Sequence, residues 1–149
     1  MDKHWAEWWV LYFLVHGFDM ISVIYVENDP DFSSLVCHLS HKYGISLHPL
    51  SSVKEALEWL TVTPADVIVS DYDMPEINGL EFLKILRALG DLTPFIHFSG
   101  AENFEELART AAMYGCFGTL SKHHEVGKQI NRLVNMIRMA IQVSSNKNR

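Results

Sequence analysis

The chain has 149 residues, about one domain's worth, and 48% of them are hydrophobic, enough for a full core. Eighteen acidic residues against 12 basic ones leave a formal charge of −6. That balance argues against a dedicated nucleic-acid binder, whose basic residues cluster on one face. The two cysteines, Cys37 and Cys116, stand far apart in no metal-type spacing and read as reduced, buried thiols of a cytoplasmic protein.

Residues 1–19 form an aromatic leader that carries Trp5, Trp8 and Trp9. Its apolar run, residues 5–15, is shorter than the roughly 20 apolar residues a membrane span needs. It also lacks the basic start and small-residue cleavage site of a secretory signal. Three readings fit it: an extension upstream of a natural start at Met20, an aromatic helix that docks on a partner, or a shallow membrane contact. The first is favoured, because residues 20–26 open directly into a strand pattern.

Residues 21–26 are β-branched and aromatic, hence the first strand. Asp29-Pro30 is a helix start, with a capping carboxylate and then proline at the first helical position. Phe32, Leu35, Val36, Leu39 and Tyr43 keep helical spacing until Gly44 stops it. Residues 45–50 make a weak second strand. Ser52 with Glu55 fits a capping box, and Val53, Ala56, Leu57 and Leu60 form one apolar face. Thr63-Pro64 ends that helix, and residues 65–70 are the third strand.

Asn78-Gly79 turns the chain into a third helix marked by Phe82, Leu83, Leu86 and Leu89. Residues 94–98 are the fourth strand. Asn103 with Glu106 resembles another cap, before Phe104, Leu107, Ala108 and Ala111. A short fifth strand covers residues 117–121. The last helix carries Ile130, Leu133, Val134, Ile137 and Ile141 on one stripe, and residues 144–149 read as a frayed polar tail. Strands alternating with helices predict an α/β fold with helices on both faces of a parallel sheet. Right-handed crossovers favour a five-stranded sheet in the flavodoxin-like order 2-1-3-4-5.

In such a sheet the carboxyl ends of the strands converge on one edge, where ligands bind. Here those ends carry Glu27, Asn28 and Asp29, then Asp71, then Ser99 and Gly100, then Lys122. Carboxylates, a hydroxyl and an ammonium in one place suit phosphoryl transfer. Oxygen ligands that keep several waters suit Mg²⁺. A carboxylate can attack phosphorus to form an acyl phosphate. A hydroxyl and an ammonium can hold the phosphoryl oxygens.

The stretch Ser70-Asp-Tyr-Asp-Met-Pro-Glu-Ile-Asn-Gly79 resembles the phosphoacceptor motif of two-component response-regulator receiver domains. With the acidic turn, the Ser-Gly pair and the lysine in order, the resemblance covers residues 21–141. It implies that Asp71 accepts a phosphoryl group from a sensor histidine kinase or a histidine phosphotransfer protein. It implies that Glu27, Asn28, Asp71 and the backbone carbonyl of Asp73 hold Mg²⁺. Ser99 would be the switch hydroxyl and Lys122 the cation that pairs with the phosphoryl oxygens. The receiver domain would span residues 20–143, act as a stand-alone, CheY-like cytoplasmic module and signal to a downstream protein target by contact. No membrane span and no nucleic-acid partner are expected, nor turnover of external substrates.

The chain departs from the family pattern in three places. Asn28 replaces the usual aspartate and removes one negative charge from the metal site. His123 and His124 follow Lys122 where proline is usual. Thr119 stands where a switch aromatic is expected. These departures motivate the runner-up, a receiver-like interaction module that works without phosphorylation. An aspartate-nucleophile phosphatase, suggested by the Asp71-Tyr-Asp73 spacing, would need a cap or insertion for which this length leaves no room. His97 reads as a hydrogen-bonded core histidine. His38 and His41 could share a helix face at i, i+3 spacing, but no acidic or cysteine ligand stands beside them, so a metal pair is not expected. The wide stripe on the last helix, from Val126 through Met136 to Met139, could leave a homodimer face.

Overall fold

The computed structural model describes residues 7, 11, 21–123 and 125–147. Among them five strands alternate with five helices. The strands are β1 (Val23–Val26), β2 (Leu47–Leu50), β3 (Val67–Ser70), β4 (Phe95–Ser99) and β5 (Gly118–Ser121). The helices are α1 (Pro30–Lys42), α2 (Val53–Leu60), α3 (Gly79–Ala88), α4 (Phe104–Met113) and α5 (Val126–Lys147). All strand pairs are parallel and the order is β2-β1-β3-β4-β5, the flavodoxin-like arrangement expected from the alternation. The leader is outside the described residues, apart from Glu7 and Leu11, which are helical and exposed.

The sheet is covered on both faces, which is why its central strands are continuous apolar runs. Successive side chains alternate between the faces. Tyr25, Val69, Ile96 and Phe98 pack toward α1 and α5, with Val36, Ile130, Leu133 and Ile137. Ile24, Ile68 and Phe95 pack toward α2, α3 and α4, with Val53, Ala56, Phe82 and Ala111. Each fully buried side chain of this size contributes about 1.5–3 kcal/mol relative to exposure. β2 is an edge strand, which is where Pro49, lacking an N–H, can be accommodated.

Local chemistry sets the helix ends. Asp29 Oδ1 accepts from the N–H groups of Asp31 (3.0 Å) and Phe32 (3.2 Å), with Pro30 at the first helical position. Gly44 follows α1 at a φ of 83°, a conformation glycine adopts without penalty. Ser52 caps α2, but only half of the expected box forms, because the Glu55 carboxylate bonds Ser51 instead. The complete box is at α3, where Asn78 and Glu81 satisfy each other's N–H groups. The Asn103 side chain makes no capping bond to α4.

Three expectations change. The strands begin one or two residues later than the apolar runs suggest, because the first residues of each run approach the sheet without a full ladder. The helix α5 continues to Lys147, so residues 144–147 of the predicted polar tail are helical. The broad stripe on α5 is mostly spent on the sheet: Ile130, Leu133, Val134 and Ile137 are fully buried, leaving Met139 and Val143 exposed. Among the described residues no helix is long and apolar enough to cross a membrane.

Candidate functional site

The ladders carry the polar residues to one edge. The Asp71 N–H donates to Val26 O (2.9 Å), the Glu27 N–H to Leu50 O (3.0 Å) and the Lys122 N–H to Ser99 O (2.9 Å). Lys122 Nζ then bridges the two carboxylates, 2.8 Å from Glu27 Oε2 and 3.2 Å from Asp71 Oδ1. Both acids are buried, at 4% and 6% exposure. Buried carboxylates this close are tolerable only with a cation between them. The ammonium also lies over the rings of Phe32 (4.6 Å) and Phe98 (5.8 Å), whose faces attract a cation.

Further bonds hold the two acids in place. Asp71 Oδ1 accepts from the Tyr72 N–H at 2.8 Å, and Ser70 Oγ donates to the Asp71 carbonyl at 2.8 Å. Glu27 Oε1 accepts from the Asp29 N–H at 3.3 Å, and the Tyr25 hydroxyl donates weakly to Oε2 at 3.5 Å. Burial pushes the Glu27 carboxyl above its ordinary range; the Lys122 hydrogen bond and charge oppose this without cancelling it. Burial raises the Tyr25 phenol strongly, and the neighbouring Glu27 and Asp71 charges add to the effect, so the phenol stays protonated.

Ser99 closes β4, fully buried, with its Oγ accepting from the Ala101 N–H at 3.0 Å. Asn28 and Asp73 are exposed beside the buried acids. A crevice of about 580 Å³ opens beside Glu27 and Asn28, between α1 and the ends of β1 and β2, and is lined also by Ser33, Ser51 and Glu55. The turn after Asp71 is tight: the Ile77 N–H donates to Pro75 O at 2.9 Å, and Glu76 between them takes a φ of 70°, rare for a residue with a side chain. Gly79 closes that turn against Asp71. A Cβ there would overlap the Asp71 carbonyl oxygen and lie 3.0 Å from Tyr72 Cα.

The donor set fits Mg²⁺. The Lys122 ammonium already rests between Glu27 and Asp71, so the pocket is built for positive charge. Among the described residues no group of three or more His, Cys, Asp or Glu side chains is placed to hold a metal ion by itself. The expected set, two carboxylates, the Asn28 amide and the Asp73 backbone carbonyl, consists of hard oxygen donors. Mg²⁺ commonly keeps several waters beside so few protein ligands. His38 and His41 are both exposed on α1.

The departures resolve locally. No cis peptide bond occurs among the described residues, so Lys122 reaches the carboxylates across a trans bond to His123. His123 is exposed and its N–H donates to Ser121 Oγ at 3.1 Å; His124 is outside the described residues. Thr119 is half-buried, its Oγ1 4.0 Å from Cys116 Sγ. His97 contradicts expectation. It is fully buried, and its Nε2 has no hydrogen-bond partner. Tyr25, Phe32 and Phe98 also belong to the site, although periodicity marks them only as core. The one available signal was a tyrosine among aliphatic residues two positions before the acidic turn.

This fold is shared with a known family. The chain belongs to the response regulator receiver domain family, whose sequence model matches residues 23–138. It is a CheY-like receiver domain of two-component signalling, a signalling module rather than a conventional enzyme. Over 115 residues it is 31% identical to the Regulator of RpoS of Escherichia coli K12, covering 77% of this chain and 33% of that protein. It is 36% identical over 108 residues to the Transcriptional regulatory protein MalR of Bacillus subtilis, covering 71% of this chain and 46% of that one. This chain thus spans between a third and a half of these curated relatives.

The receiver domain of the Francisella response regulator 1452 superposes with a TM-score of 0.74 at 25% identity, covering 83% of this chain and 98% of that one. The chemotaxis response regulator CheY4 of Vibrio cholerae gives 0.68 at 23% identity, over 79% and 98% of the two chains, a likeness of fold alone.

Proposed function

We propose that this receiver domain takes a phosphoryl group from a phosphohistidine of a sensor kinase or a histidine phosphotransfer protein onto Asp71, and signals by protein contact. The observation that carries this reading is the Lys122 ammonium held between Glu27 and Asp71 at the carboxyl edge of the sheet. An Asp71 oxygen attacks phosphorus, the phosphorus–nitrogen bond breaks, and its electron pair stays with the donor imidazole. Lys122 then pairs with the phosphoryl oxygens, and Ser99 Oγ leaves the Ala101 N–H to hydrogen-bond the same group. Glu27, Asn28, Asp71 and the Asp73 carbonyl would hold Mg²⁺. When bound, Mg²⁺ offsets the repulsion between the anionic nucleophile and the anionic phosphoryl group.

The added charge biases the Ser99 loop and the surface of α4, β5 and α5 toward a second arrangement. The test is acyl-phosphate formation with a small phosphodonor and Mg²⁺. Wild type should label once per chain and Asp71→Asn should not. Equal labelling of the two, or none of wild type, would end this reading.

Asn28 favours one alternative, a module that binds its partner without phosphorylation. It predicts partner binding that is insensitive to Asp71→Ala and no Mg²⁺-dependent change in amide spectra.

A further inference from the structure

One buried group near Asp71 has no part in the phosphoryl chemistry. β4 turns Phe95 and His97 toward α3 and α4, and the His97 ring meets the Phe95 ring edge-on at 4.9 Å. Nε2 of His97 is unpaired although the residue is fully buried. The Gly79 backbone lies close enough to favour a proton on the ring but makes no hydrogen bond of normal geometry to it. Gly79 itself is pressed against Asp71, with no space for a methyl between the two backbones. The unpaired nitrogen therefore looks onto the turn that carries the phosphoacceptor.

The other side of the ring points to β5. Nδ1 is 3.7 Å from Cys116 Sγ. That thiol has two carbonyls within reach, Phe95 O and Gly118 O, each at 3.2 Å, and it has one proton to give. Thr119, the register partner of His97 and on the same face of the sheet, is 4.0 Å from the sulfur. Cys116 sits in the segment that Arg87 ties down through Tyr114 O (2.9 Å) and Gly115 O (3.1 Å). Met113, 83% exposed, and Tyr114 begin that segment at the surface.

We infer that His97 is a positioning residue that transmits the state of Asp71 to residues 113–118 by exchanging its Cys116 contact for a hydrogen bond from Nε2. An unpaired buried nitrogen is unfavourable, so an arrangement that pairs it is favoured once the Asp71–Gly79 turn shifts. The ring has only two sides to satisfy, and turning toward Gly79 loosens its hold on Cys116. The sulfur, with its two equivalent carbonyls, can follow. Thr119 is small enough to leave room for that movement. This inference rests on the phosphoacceptor reading and adds the route by which it is read out.

The test uses the full chain carrying Cys37→Ser, so that Cys116 is the single thiol. A disulfide exchange reagent should modify Cys116 about fivefold faster or more when Mg²⁺ and beryllofluoride mimic the phosphorylated state. With His97→Phe that acceleration should vanish while Asp71 still labels from a small phosphodonor. The unsubstituted chain gives a second measurement, in which the nitrogen resonances of His97 should move on adding the same mimic. Unchanged His97 nitrogens and an unchanged Cys116 rate in protein whose Asp71 labels would overturn the inference. An Asp71 that does not label overturns the phosphoacceptor reading, and this one with it.

Discussion

Gly79→Ala isolates the contact on which the position of Asp71 depends. Gly79 is the first residue of α3 and does not have a positive φ, so alanine could adopt its backbone conformation. By local preference alone the change should stabilise the protein by about 0.4–1 kcal/mol. The packing points the other way. The new methyl would lie 3.0 Å from Tyr72 Cα and 3.1 Å from the Asp71 carbonyl carbon, and would overlap the carbonyl oxygen. Carbon atoms rest at about 3.5–4.0 Å, so the turn must open by roughly half an ångström or more. All three neighbours are backbone atoms, and none can rotate away.

Overpacking of this kind costs about 1–3 kcal/mol, and an unyielding site belongs at the top of that range. The net expectation is a loss of about 2 kcal/mol. In urea that lowers the midpoint by roughly 1 M with an unchanged slope, given slopes of about 1–3 kcal/mol/M. Because the strain falls on Asp71, labelling by a small phosphodonor should slow by roughly tenfold or more. A Gly79→Ala protein as stable as wild type and labelled at the same rate would refute the close-approach argument.

Other outcomes follow from single contacts. The His97 ring has its pKa pushed by burial from 6.5 down to about 4. Because the folded value is the lower one, its contribution to stability is full above pH 6.5, declines as pH falls toward 4 and then levels off. The decline should reach roughly 3 kcal/mol in the difference between the wild-type and His97→Phe free energies of urea unfolding across that window. A flat difference would show that the ring titrates normally. Lys122→Met leaves Glu27 and Asp71 facing each other without a cation, and should lose roughly 3 kcal/mol at neutral pH in thermal or urea unfolding. Added Mg²⁺ should restore part of that loss, and no restoration would count against the metal-ligand assignment. Asn78→Ala removes one half of the α3 capping box and should cost about 1 kcal/mol, measurable in the same unfolding experiment.

Much of the fold was legible because its signals are local. Asp29-Pro30, Asn78-Gly79 and the β-branched runs each act on the nearest few residues, the first two at helix starts and the runs as strands. Asp71, Glu27 and Lys122 were legible for a different reason: parallel strands must all end on one edge, so residues far apart in sequence meet there. What stayed hidden was which of several available partners a side chain takes and where an element ends. Glu55 pairs with Ser51 instead of completing its own box, and residues 144–147 continue α5 despite their polarity. The ring faces of Phe32 and Phe98 meet the Lys122 ammonium as well as serving the core.

The sequence by itself determined the alternation of strands and helices, the strand order and the identities of the residues at the sheet edge. Hydrophobic period, capping chemistry and chain handedness suffice for those. Only the tertiary structure decided that one ammonium neutralises two buried acids, that Ser99 faces Ala101, and that Gly79 leaves no slack beneath Asp71. It also decided that the nitrogen of His97 is left without a partner. Those outcomes depend on distances between strands and on which side chain fills a shared space, and no local stretch of sequence encodes either.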